Sequence, residues 1–490
     1  MFKLSSILKQ KGNSLALHIL IVCCISIVGM VMLMSQVNTV LESDMKLFGW
    51  IGNLLILWCL ISWKYLCGRI FTPYVMFLLS FYVYLYGQAF LKSIGVPFKG
   101  FNLYLEFNNN QMLEAQIYTC ICLGFLHLGA LLSYKEPKKI TGFVENKHND
   151  DMLMRIVKRT SIVLILISFY PYLSNLIASV KNSLQNGYSS LYEIGNSSGG
   201  VSNILQSMSM FFIPGVFLLL ICYREKRIIR ILIGVIIIFI VLTGFISGGR
   251  GAAISLLVAF TWLWHTQIKP FKGWKFNSLI VIGLVIFSFF PVMSEFRLYA
   301  DRSFSSFFDL YIKSIIEGNL IASGIGELGG SMFPLVKVMD LMPEVYSFRL
   351  GESYFAAIMA IIPSTLLGGY SFADLADLSN WLMNALQMDY GPGFSLVAES
   401  YYNLGWFGLL FMLILGYLFG KLLTPNSINT AKFIVGNTFV AITLYILINN
   451  VRGSLSLAVR SEFYMVIIPY CVIMLIYNSN KNKKKFLGNE

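Results

Sequence analysis

Runs of about twenty apolar residues recur along almost the whole chain, and polar positions collect in the stretches between them. Each run is long enough to cross a hydrocarbon core as a helix, which satisfies its own backbone where no water is present. The pattern predicts about twelve spans, centred near residues 25, 58, 82, 123, 170, 213, 239, 258, 285, 413, 441 and 470. The first run, from about Leu15 to Met34, follows Lys3, Lys9 and Lys11. It is too long for a signal core and shows no small-x-small cleavage site, so it reads as an uncleaved span. The expected fold class is an all-α polytopic membrane protein.

Two segments break the rhythm. Residues 135–159, "KEPKKITGFVENKHNDDMLMRIVKR", read as a solvated, poorly ordered linker. Residues from about 295 to 403 form a large loop with short helices of its own. The expected division is therefore 1–294, a bundle of about nine spans; 295–403, the loop; and 404–490, about three spans with a basic tail. Within the loop, "SYFAAIMAIIPSTLLGG" at 353–369 is semi-apolar. A thirteenth span there would put the C-terminal lysines on the wrong side, so it reads as an interfacial or re-entrant helix.

Composition agrees: 57% of the residues are hydrophobic, 12% are charged, and mean hydropathy is +0.70. A soluble chain carries about twice that share of charge. The formal charge of +13 is distributed by topology. With an even number of spans, the N-terminus, the C-terminal tail and the alternate loops share one side, and these hold 25 of the 37 Lys and Arg but six of the 24 acids. By the positive-inside rule both termini are cytoplasmic, and no nucleic-acid partner is needed to explain the charge. The eight cysteines all fall in or at the ends of spans, with no disulfide framework and no zinc-like spacing. Cys120-x-Cys122 reads as two small buried residues.

The chemistry of the outer side lies in its arginines. Arg250, Arg297, Arg302, Arg349, Arg452 and Arg460 are half of the basic residues there. The planar guanidinium fork binds phosphate oxygens in a way lysine cannot, which suggests an anionic ligand; pairing with outer carboxylates is the alternative. Arg250 lies in "GFISGGRGAAIS", where small residues and a helix start would leave backbone N–H groups facing an anion. This is no P-loop, lacking the Lys-Ser/Thr ending. Arg452 and Arg460, in "NNVRGSLSLAVRSEF", are eight residues apart and would share a face of one continuous helix. Arg297 and Arg302 open the large loop.

None of the four histidines, His18, His127, His148 and His265, falls in that loop, so acid–base chemistry there would need a carboxylate. Glu399 in "GPGFSLVAESYYNLGWFG" and Glu295 are the candidates; for Glu399, a favourable charge in the first turn of its own helix is the alternative. Glu42 and Asp44 form an acidic pair on a short loop, and no Asp-x-Asp occurs, so no metal is expected. The tyrosines and tryptophans between Tyr390 and Trp406, Tyr402 among them, suit either a membrane-interface belt or stacking on sugars.

The hairpin "SGGRGA", the loop stretch "GGSMFPLVKVMDLMPEVYSFRLGESYFAAIMAIIPS" and the lead-in "AESYYNLGWFG" together resemble polysaccharide repeat-unit polymerases of the Wzy type, within the wider group of O-antigen polymerases and ligases. The likeness covers nearly the whole chain. It implies a GT-C-like membrane glycosyltransferase of the bacterial inner membrane that needs no metal or cofactor. Its substrates would be undecaprenyl-diphosphate-linked oligosaccharides, joined on the outer face into O-antigen or capsule. Pathway partners would include a chain-length regulator and a flippase. Glu399 and Arg250 would be catalytic, and Arg297, Arg302, Arg349, Arg452, Arg460 and Tyr402 would bind diphosphate or sugar. The ligases of the group show a histidine before the glycine-rich lead-in; "GPGFSLVAES" has none, which favours a polymerase. A lipid-linked oligosaccharide flippase is the other class that twelve spans suit, but no internal repeat is visible.

Overall fold

A computed structural model describes residues 2–35, 40–135, 147–186, 200–296, 304–316, 318–362, 367, 371–389, 391–425 and 430–487. Every regular element among them is helical. In chain order these are α1 (Phe2–Ser35), α2 (Glu42–Cys67), α3 (Pro73–Ile94), α4 (Leu103–Glu106), α5 (Asn109–Ser133) and α6 (Lys147–Asn186). Then come α7 (Gly200–Ser209), α8 (Phe212–Cys222), α9 (Arg227–Ser247), α10 (Arg250–Gln267) and α11 (Trp274–Phe296). The central stretch holds α12 (Phe304–Ile316), α13 (Leu320–Gly329), α14 (Phe333–Leu341), α15 (Glu352–Met359), α16 (Phe372–Leu375) and α17 (Leu378–Ala385). The chain ends with α18 (Leu396–Leu404), α19 (Gly408–Leu422), α20 (Ala431–Asn449), α21 (Leu455–Glu462) and α22 (Ile468–Leu487).

Eleven helices among the described residues are long and apolar enough to cross a membrane. The expected twelfth, near residue 258, is α10, and its lower hydropathy separates it from the rest. It carries Arg250 at one end and His265-Thr266-Gln267 at the other. Its 18 residues reach about 27 Å, just short of the hydrocarbon thickness. Two glycines turn the chain from α9 into α10. Gly248 takes φ +89°, a left-handed conformation open to glycine at no steric cost. The two helices then pack against each other, with Gly244 close beside Ala253.

The tightest helix pair is α5 with α19. Gly416 and Gly420, in "GYLFG", face Leu126 and Ala130 so closely that a Cβ on Gly420 would stand 2.7 Å from the Ala130 Cα. Gly129 of α5 meets the Leu413 carbonyl in the same way. Lipid gives apolar helices no hydrophobic reason to associate, so this small-xxx-small contact works by dispersion and backbone approach.

Two expectations change. Residues 147–159 are the first turns of α6 and not a loose linker: Met152, Leu153, Ile156 and Val157 recur at helical spacing and are buried. Residues 136–146 lie outside the described set. Of the stretch 353–369, the described helix is α15, about 12 Å long and far too short to cross. It packs on α21, and residues 363–366, 368 and 369 lie outside the described set.

Candidate active site

Glu399 sits in the fourth position of α18, whose first turn is capped by Ser395 Oγ accepting from the Ala398 N–H at 3.1 Å. Its carboxylate does not serve its own helix. Oε2 accepts from the backbone N–H of Leu455 at 2.6 Å, at the first turn of α21, and Oε1 accepts from Ser353 Oγ at 2.7 Å. The carboxylate thus caps a different helix, where an anion is favoured by unsatisfied N–H groups and the dipole. Glu399 is 1% exposed.

One turn on, Asn403 completes the node. Its Nδ2 donates to Ser353 Oγ at 2.7 Å and to the Glu399 carbonyl at 2.9 Å. Its Oδ1 and carbonyl accept from the N–H groups of Gly351 and Leu350, and the Tyr402 carbonyl accepts from Arg349. Leu350 and Gly351 both take positive φ, so two successive N–H groups turn toward α18. Burial first, and the Glu399 charge second, push the Tyr354 phenol far above its ordinary range; it stays a donor, aimed at the Glu399 carbonyl at 3.4 Å.

A second node gathers around Arg250, the first residue of α10. Its NH1 donates to the Phe290 carbonyl at 2.8 Å, and its NH2 pairs with Glu327 Oε1. The other Glu327 oxygen is buried with no partner. Beside Gly251 lie Asn449 Oδ1, the Tyr84 hydroxyl and Arg452 Cδ, at 3.6, 3.8 and 4.0 Å from where its Cβ would stand. The exposed Arg452 guanidinium is 6.0 Å from the Tyr84 ring centroid. Arg250 and Arg452, far apart in sequence, therefore meet at the start of a helix that has no side-chain cap. Helix-start N–H groups beside two guanidiniums are the kind of arrangement that attracts an anion, although Arg250 already holds the Phe290 carbonyl and Glu327.

The nodes are joined by the chain itself. Arg452 precedes Leu455 by three residues, so their Cα atoms are within about 11 Å. The helical continuity expected between Arg452 and Arg460 is absent: Arg452 ends a 3₁₀ turn, and Gly453 is extended before α21 begins. Arg460 instead donates to Ser207 Oγ at 3.1 Å. Arg349 is 3.7 Å from Glu352 and lies beside the Tyr402 phenol, its Nε buried without a partner. Tyr402 is buried edge-on against Trp381. Arg297 and Arg302 lie outside the described residues, and Glu295 is exposed at the end of α11.

Sequence reading missed Ser353, Asn403, Glu327 and Tyr84. The i,i+4 spacing of Glu399 and Asn403 was a usable signal. A further half-buried acid, Glu462, accepts from Thr443 Oγ1 at 3.1 Å and has one buried oxygen unpartnered; a π-turn follows it directly.

Glu42, Asp44, His18 and His127 serve the scaffold. Glu42 pairs with Lys46 and Lys92, and Asp44 accepts from the Leu41 N–H. Among the described residues one group, His18, Cys59 and His127, is close enough to hold a metal ion. Its ring nitrogens are already engaged. His18 accepts from the Trp58 indole and bonds the Gly124 carbonyl, while His127 bonds the Ser62 and Tyr74 hydroxyls. These four bonds bridge α1, α2, α3 and α5, so the donor set fits helix packing better than a metal.

The described chain is thus a polytopic helical membrane protein whose buried acid and paired arginines converge at one end of the bundle. The sequence model of the family O-antigen polysaccharide polymerase Wzy matches residues 16–484, and the chain belongs to that family. No curated protein and no solved structure matches it.

Proposed function

We propose that this O-antigen polymerase joins undecaprenyl-diphosphate-linked oligosaccharide units on the outer face of the bacterial inner membrane, with both of its termini in the cytoplasm. The observation that carries the reading is the convergence of Arg250 and Arg452 on the uncapped start of α10, three residues from the turn that Glu399 holds. A lipid-linked diphosphate presents its charge at that depth while its tail stays in the bilayer.

In the proposed step the acceptor hydroxyl oxygen bonds to the donor's anomeric carbon as the bond from that carbon to the diphosphate oxygen breaks. The lipid diphosphate leaves with the electron pair, and the hydroxyl proton passes to a carboxylate of the site. Arg250, Arg452 and the N–H groups of α10 offset the growing charge, each donor contributing about 3–4 kcal/mol by analogy with oxyanion donors. With both oxygens bonded, Glu399 supports an orienting role: it fixes Ser353 and the 452–455 turn. Glu327, with a free oxygen beside Arg250, is the better placed proton acceptor. Arg349 and Tyr402 flank the loop on α18, and a sugar contact is proposed for that pair. Arg460 and the arginines of the loop entrance, Arg297 and Arg302, are proposed as outer diphosphate contacts. The reaction requires no metal, and the fold is proposed to be GT-C-like.

The test is a deletion strain complemented with wild type, Arg250→Ala or Glu399→Gln, with surface polysaccharide resolved as a size ladder. Collapse to a single capped unit, with protein retained in the membrane, is the expected result for Arg250→Ala. Loss of even that unit on outright deletion would assign the chain to export or ligation instead.

A further inference from the structure

A cavity of ≈ 450 Å³ opens between the end of α1, the start of α5 and the turn that links α18 to α19. Met30, Leu33 and Met34 form one wall, and Asn110, Glu114 and Trp406 form the other. The volume falls in the range of small-ligand sites. The two walls differ in kind. The α1 wall continues into the exposed apolar side chains Ile27, Met30, Val31 and Met34, on a helix long and apolar enough to cross a membrane. On the opposite wall three polar groups have no hydrogen-bond partner among the described residues: the Trp406 indole N–H, the Asn110 amide and the Glu114 carboxylate.

A partly buried carboxylate is costly to leave unpaired. Its neighbour Asp340, held by Gln111 at 2.6 Å and Lys337 at 3.9 Å, is a second carboxylate and adds repulsion, not a partner. An indole face, a carboxylate and an amide are the groups that hold a pyranose: the ring packs on its C–H face, and the polar pair accepts from and donates to its hydroxyls. An apolar wall open to lipid suits the remainder of an amphiphile.

The cavity is also tied to the site. Trp406 packs edge-on against Tyr118, 5.2 Å between centroids, and the Tyr118 hydroxyl is 2.9 Å from Ser400 Oγ, next to Glu399. Arg250 and Arg452 do not line it.

We infer that this cavity binds the saccharide of the acceptor, a second lipid-linked unit that enters along α1, separate from the anion site that holds the donor's diphosphate. The assignment to acceptor rests on the polymerase reading; the saccharide site itself does not. The α1 wall supplies adaptable methionines, which accommodate a lipid chain without a fixed shape.

The test uses the full chain in nanodiscs and the repeat-unit oligosaccharide released from its lipid, labelled at the reducing end, in equilibrium dialysis. Saturable binding is expected, at least tenfold weaker in Trp406→Ala, several-fold weaker in Glu114→Gln and Asn110→Ala, and unchanged in Arg250→Ala. Asn110 is exposed, so its variant tests the cavity even if Trp406→Ala fails to fold. Absent saturable binding, or binding unaltered by the three cavity variants, overturns the inference. Binding lost in Arg250→Ala alone also overturns it and moves the sugar to the arginine node. A normal ladder in the deletion strain, with cavity-dependent binding intact, would remove the polymerase reading and leave the saccharide site.

Discussion

The Leu455 N–H and the Ser353 hydroxyl both depend on Glu399, and each is buried or nearly so. Removing the carboxylate orphans both donors, at about 1–3 kcal/mol each. Glu399→Gln keeps the size but only one of the two acceptor oxygens, so one donor loses its acceptor, at a cost of about 1–3 kcal/mol. Glu399→Ala is therefore expected to lower the thermal midpoint in detergent much more than Glu399→Gln, and Asn403→Ala to fall between them. If orientation is the role of Glu399, the ladder in Glu399→Gln shortens without vanishing; a complete loss with an unshifted midpoint would make it the proton acceptor. Arg250 offers the contrasting case. Lysine has no planar fork and cannot hold both the Phe290 carbonyl and Glu327 while facing an anion. Arg250→Lys is expected to lower the polymerisation rate about 10²–10³-fold. Glu327→Gln should lower kcat with little change in KM, as loss of a proton acceptor does, and single-turnover assays with lipid-linked units would show it.

Helix pairing here depends on glycine at defined places. Gly416 and Gly420 let α19 lie against α5 at backbone distance, and a side chain at Gly416 would meet the Leu126 carbonyl. Gly416→Leu is expected to cost more than 3 kcal/mol and to abolish accumulation in the membrane, whereas Gly234→Leu, with open space around it on α9, should be tolerated. Immunoblots of membrane fractions separate the two. The motif "GYLFG" was visible in the sequence, but its partner was not, because nothing in hydropathy says which two spans touch. The spans themselves were legible, since twenty apolar residues in a row have few alternatives. The site was legible only in part. Arg250 announced itself by standing alone among glycines, and Glu399 by its polar setting ahead of a span. Glu327 and Ser353 carried no local signal: each matters because a distant element folds against it. The helix-period argument for Arg452 and Arg460 failed at Gly453, where the backbone is extended and the count of residues per turn lapses.

At the scale of the whole molecule one helix decides the sidedness. Among the described residues eleven helices satisfy length and hydropathy, and an odd number would put the termini on opposite faces. Counting α10 makes twelve. Its two-glycine junction with α9 and its packing along that helix fit a chain that turns back across the bilayer. The lysines after it agree: Lys269, Lys272 and Lys275 lie between α10 and the body of α11, where the positive-inside rule wants them cytoplasmic. The prediction is that a periplasm-dependent phosphatase fused after Val345 is active and one fused after Asn480 is inactive, with a cytoplasm-dependent fluorescent reporter giving the reverse. If α10 does not cross, every segment after it changes side. Val345 would then report cytoplasmic and the basic tail external, and Arg452 would face the compartment opposite to Arg250's proposed ligand. That outcome would be incompatible with the contact between Gly251 and Arg452, because two residues that pack together cannot stand on opposite faces of a bilayer. The fusion at Val345 therefore tests the topology and the arginine site together.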